Sequence, residues 1–105
     1  MSAFDEREKG YESKFAQDQE LEFKAQSRSN RLLGEWAAHK MGLENVEDYV
    51  RAVMRSEVAH PGEDEVLRKV TQDLAGAGLH VRDAEVRAKW DEFLALTRSQ
   101  MKAGA

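Results

Sequence analysis

Apolar residues along most of this chain recur every three to four positions, the period of an amphipathic helix. Leu32, Leu33, Trp36, Ala37 and Met41 share one face, and Gly42 then reads as a helix stop. Asn45, with Asp48 three residues on, resembles a capping box with shorter side chains than the preferred pair. It opens a second stripe of Val46, Tyr49, Val50, Val53, Met54 and Val58. His60-Pro61-Gly62 breaks the pattern. Glu63, Asp64 and Glu65 place carboxylates in the first turn of a third helix, where the dipole favours negative charge. Val66, Leu67, Val70, Leu74 and Ala77 form its stripe, and Gly76 and Gly78 end it. Leu79 and Val81 lead to Asp83, a candidate N-cap, after which Val86, Trp90, Phe93, Leu94, Thr97 and Met101 make the fourth stripe. With one proline in the chain and little β-branched alternation, the pattern predicts an all-α four-helix bundle on short loops.

The stretch FDEREKGYESKFA, residues 4–16, does not fit inside that bundle. Phe4, Tyr11 and Phe15 return to within ~20–40° of one helical face, at offsets of 7 and 11 residues. Between them and the apolar stripe that follows, the same face carries Asp18, Glu22 and Gln26, where a buried stripe would need hydrophobes. A helix from Phe4 to Met41 would be ~57 Å long, against ~20 Å for each of helices two and three and ~30 Å for the fourth. The bundle is therefore expected to begin near Leu21, with residues 1–20 as an overhanging segment. Residues 3–24 hold seven acids (Asp5, Glu6, Glu8, Glu12, Asp18, Glu20, Glu22) and four bases (Arg7, Lys9, Lys14, Lys24). Such a segment is expected to be mobile when free. It reads either as a solubilising tail with incidental aromatics or as a helix that folds into a partner's groove.

Length and charge narrow the classes. At 105 residues the chain makes one domain. A net charge of -4, with 34% charged residues and a mean hydropathy of -0.72, describes an acidic, well-solvated surface with no clustered cations. Nucleic acid and anionic membranes are poor partners for it. The first turn of helix three, Glu63-Asp64-Glu65, has the wrong sign for a DNA-reading helix, and the acidic first segment lacks the basic face of an interfacial helix. There is no cysteine, and no apolar run approaches a membrane span. With no signal-peptide pattern at its start, the chain is expected to be cytoplasmic.

No catalytic constellation emerges. Glu57-Val-Ala-His60 has the E-x-x-H spacing of di-iron bundles, but no second copy exists, and His60 falls at a helix end. His39 and His80 lack ligand spacing, and Gly76-Ala-Gly78 is a helix stop, too short for a phosphate loop. No serine is arranged with histidine and carboxylate in a known motif. The reading is of a non-enzyme, without metal or obligate cofactor.

FDEREKGYESKFAQDQELEFKA, RSNRLLGEWAAHKMGL, EDEVLRKV and VRDAEVRAKWDEFLAL together resemble the ζ subunit family of α-proteobacterial F1-ATPase, along the whole chain. The pattern R-x-x-x-(F/Y)-x-x-K-F reads here Arg7 to Phe15, and R-L-L-G-x-W-A-A reads Arg31 to Ala38. The resemblance implies a four-helix bundle, residues 21–105, and an N-terminal inhibitory segment, residues 1–20, that becomes helical on binding F1. It implies insertion at a catalytic α/β interface toward the γ stalk, which blocks rotation and ATP hydrolysis. Phe4, Arg7, Tyr11, Lys14 and Phe15 are the partner-binding residues so implied. The α, β and γ subunits are the implied partners of a chain that is monomeric when free and peripherally associated with membrane-bound ATP synthase. Weak adenine-nucleotide binding to the bundle is also implied, at no residue the sequence identifies. Gly10 departs from a better helix former and costs roughly 0.5–1 kcal/mol against alanine inside a helix. The alternative is an ATP synthase-associated or nucleotide-sensing bundle with weak or no inhibition. Gly34, inside the second motif, is expected to permit close helix packing beside Trp36.

Overall fold

Four helices follow one another: α1 (Ala3–Met41), α2 (Val46–Ala59), α3 (Glu65–Gly76) and α4 (Asp83–Gly104). The computed structural model describes the backbone of residues 3–60 and 64–104 and the side chains of 18–60 and 64–102. The break at Pro61-Gly62 and the carboxylate of Glu63 lie outside these residues. Helix α1 packs on α4, α2 and α3, while α2 packs on α3 and α3 on α4. This is the four-helix arrangement the stripes predict.

Glycine fixes two of the corners. Gly42 and Gly78 have φ of 70° and 83°, the left-handed region that costs other residues a steric penalty. At each, the next residue's amide reaches back five positions: Leu43 donates to the Ala38 carbonyl and Leu79 to the Leu74 carbonyl, both at 3.0 Å. These are Schellman stops, which satisfy carbonyls that a helix end would otherwise leave open. At the start of α2, the Asn45 side chain accepts from the Asp48 amide at 3.1 Å. Only that half of the expected box forms, because the Asp48 carboxylate lies 3.5 Å from Arg51 instead.

The core gathers Leu33, Ala37, Val53, Val66, Leu67, Val70, Leu74 and Val86, with Trp36, Tyr49, Trp90 and Phe93 packed against it. Three expectations need correction. Val58 is 79% exposed. At 100° per residue it lies ~110° from the centre of the α2 stripe set by Val50 and Val53, so it falls past the stripe's rim. Ala77 is exposed because α3 ends at Gly76, so the helical period no longer carries it inward. Asp83 is the first residue of α4, not its cap. The carbonyl of Arg82 accepts from the Glu85 and Val86 amides in that place. Asp64 in turn occupies the cap position of α3 without a side-chain capping bond, and pairs with Arg87 of α4.

Polar contacts lock the helices where stripes alone leave register free. The Tyr49 hydroxyl donates to Asp73 at 2.9 Å, and Lys69 pairs with the same carboxylate at 3.1 Å. Burial, then the hydrogen bond and charge of Asp73, push the Tyr49 phenol well above its ordinary range, so it stays a donor. Gly34 faces α2. A methyl group there would meet Val53 Cγ2 at 3.5 Å and Val50 Cα at 3.6 Å, which is ordinary contact. Gly34→Ala is therefore expected to stabilise by up to ~1 kcal/mol through helix propensity. Gly34→Leu should cost ~1–3 kcal/mol by overpacking against α2. Thermal melts of the two variants check this; destabilisation by alanine would mean the helices pack more closely than these distances allow.

Candidate functional site: the N-terminal arm and its base

Helix α1 has 39 residues and α4 has 22, or about 58 Å against about 33 Å. The two run antiparallel, and their polar contacts fix the register. Trp90 Nε1 donates to Asn30 Oδ1 at 2.7 Å, and the Ser29 hydroxyl donates to the Trp90 carbonyl at 2.9 Å. Two turns further down, Arg98 Nε donates to Glu22 Oε2 at 3.1 Å, with a second bond from its Nη2 to Oε1. Asp18 and Lys102 edge the same shallow groove, where Leu21, Ala25 and Met101 also lie. Beyond them α4 is nearly finished, while α1 has fifteen more residues of helical backbone, 3–17.

Phe4, Arg7, Tyr11, Lys14 and Phe15 all belong to this part of α1. Their side chains lie outside the described residues, as does the expectation that residues 1–20 are mobile in the free chain. What can be placed is their register. Glu22 follows Phe15, Tyr11 and Phe4 by 7, 11 and 18 residues, so all four positions fall within about 20° of one line along the helix. Ser29 and Leu33 continue that line at 7 and 11 residues beyond Glu22, Ala25 lies about 60° to one side of it, and all three are buried. One stripe thus runs from Phe4 to Leu33. Its lower part is covered by the bundle, its middle is polar, and its upper part is aromatic. Arg7 and Lys14 sit about 60–80° to one side of it.

The polar middle is where the sequence showed charge and no partner. Its first partner is Arg98, 76 positions away, which no short-range pattern reveals. The bidentate guanidinium, aided by the Gln26 amide at 3.3 Å from Glu22 Oε1, holds the Glu22 carboxyl below the ordinary glutamate range. The pair remains about half exposed, so salt screens it. Other signals missed from the sequence are the small buried residues of α1, Ala25, Ser29, Asn30 and Ala38. Small and polar residues do not stand out in a hydrophobic stripe, yet Ala25, Ser29 and Asn30 lie at the seam with α4.

Among the described residues no cluster of three or more histidine, aspartate or glutamate side chains could hold a metal. Glu57 is half-buried, and His60 is the exposed C-cap of α2, its backbone amide donating to Ser56. His39 and His80 are exposed. A groove between α3 and α4 presents Arg68 and Arg87, but Asp64 and Asp83 alternate with them and balance their charge. No helix among the described residues is long and apolar enough to cross a membrane.

A family model described as ATPase inhibitor subunit zeta matches residues 1–100. The chain belongs to that family. The match spans both the bundle and the arm. Comparison with curated proteins gives no significant match. As a member of an ATPase inhibitor family, the chain is a regulatory partner of the ATPase.

Proposed function

We propose that this chain stops ATP hydrolysis by F1-ATPase with its N-terminal arm, residues 1–20, while the bundle, residues 21–105, acts as the docking body. The observation that carries this reading is the single stripe of α1, whose aromatic part begins where α4 gives out. A helix end that projects about 22 Å past its neighbour cannot satisfy an apolar stripe within its own chain. The surface that completes it belongs to another protein. In the catalytic α/β interface of F1, Phe4, Tyr11 and Phe15 act as anchors between two subunits that must close during turnover. Wedged aromatic rings oppose that closing motion and hold the γ stalk. Arg7 and Lys14, on one flank of the stripe, pair with acidic groups of the cleft and fix the register of insertion. The bundle is wider than the arm and limits how far it enters.

The acidic arm explains why such a helix does not bind membranes or nucleic acid instead. Association with membrane-bound ATP synthase on its cytoplasmic face follows from the partner, since the anchors are directed at F1. Substituting one anchor tests the reading at residue level. Phe15→Ala is expected to raise the half-inhibiting concentration by about 10–30-fold, the effect of losing ~1.4–2 kcal/mol at an aromatic hot spot. The bundle's melting temperature should stay within ~4 °C of the parent. A large drop in melting temperature with inhibition retained would place Phe15 in a core, and remove it from the interface.

A further inference from the structure

We propose that Arg98 is a positioning residue for the arm: by clamping Glu22 it sets the direction and rotation with which α1 leaves the bundle. The inference rests on the inhibitor reading above and adds to it a residue on the far helix. Glu22 lies at the base of the arm, with Ala25 the nearest buried residue after it. Its carboxylate takes both arms of the Arg98 fork, and the Gln26 amide buttresses it from one turn below. The remaining charges nearby are Asp18 and Lys102, across the same groove, and Asp91 further along α4.

Two physical effects make this pair matter more than an ordinary surface ion pair. Helix formation is limited by its nucleus. A bundle that holds residue 22 helical supplies that nucleus, so each further turn of the arm adds to an existing helix. Second, Glu22 shares its line along α1 with Phe4, Tyr11 and Phe15, so fixing Glu22 against α4 fixes the azimuth of the aromatic stripe. An arm whose base can twist presents its stripe to the cleft correctly for only part of the time. Its apparent affinity falls by that fraction.

The test is inhibition of F1-ATPase by the full-length parent, Arg98→Gln, Glu22→Gln and the charge swap Glu22→Arg/Arg98→Glu, with amide hydrogen exchange measured at residues 18–24 of each free chain. Each single variant is expected to need about 2–5 times more protein for half-inhibition and to exchange faster by a similar factor, with the swap restoring both toward the parent. Raising the salt concentration should diminish the difference between parent and single variants. Single variants that match the parent in inhibition and exchange would overturn the clamp, as would a swap that restores neither. If the parent itself does not inhibit, the inhibitor reading fails. The exchange rates still decide whether Arg98 holds the base of α1.

Discussion

Replacing Trp90 with alanine is expected to lower the stability of the bundle by about 3–5 kcal/mol. The indole packs against the core from α4, and its Nε1 is the hydrogen-bond partner of Asn30, which is 7% exposed. Truncation removes the ring volume and at the same time leaves a buried amide oxygen without its donor, which by itself costs ~1–3 kcal/mol. For a domain of this size the loss corresponds to at least ~12 °C in melting temperature. Trp90→Phe separates the two effects, because it keeps most of the volume and deletes the donor. It should fall between the parent and alanine. The prediction has a functional counterpart: below its melting temperature, the alanine variant should still inhibit per folded molecule, since Trp90 lies in the bundle and not in the arm. A thermal melt that barely moves would mean that Asn30 and the core find other partners.

The part of the fold that was legible in the sequence is the part written in large apolar side chains. Leu33, Val50, Val53, Val70, Leu74 and Val86 are fully buried, and each belongs to a stripe visible at helical period. Gly42 and Gly78 were legible as stops for a stereochemical reason, since a positive φ leaves few alternatives to glycine. The rim of a stripe is harder to read. Val58 has the same chemistry as Val50 but sits on the shoulder of α2, and hydrophobicity alone does not say where the facing helices end. The seam between α1 and α4 was illegible for a different reason. Ser29 and Asn30 are polar residues that become buried because Trp90 arrives to bond with both, and that meeting is set by tertiary register.

The arm shows the same division. Its aromatic spacing and its length against the other helices could be derived from the chain alone, as could the polar interruption at Asp18, Glu22 and Gln26. The sequence gives no hint that Arg98 stands opposite Glu22. The polar interruption is therefore better understood as a handover than as a gap: one stripe of α1 serves the bundle from Leu33 to Ser29, is held at Glu22, and continues as aromatic positions beyond α4. In the proposed inhibitor, such an arrangement lets one continuous helix carry both the docking body and the inserting element.

Deleting the arm should have the largest functional effect of any change to this chain. Removing residues 1–20 takes away Phe4, Tyr11 and Phe15 together. Losing three anchors of ~1–2 kcal/mol each is expected to weaken inhibition by at least ~100-fold. Glu22 and Arg98 are retained, and among the described residues the core lies after residue 21, so the shortened chain should keep a cooperative thermal transition close to that of the parent. The decisive measurement is ATP hydrolysis by zeta-depleted F1-ATPase, titrated with the full-length chain and with the chain beginning at Leu21. Inhibition by the full-length chain and almost none by the shortened one, at concentrations up to about 10-fold above half-inhibition by the parent, is the result expected of an inserting arm. Equal inhibition by both would contradict it, and would move the inhibitory surface from the arm to the bundle.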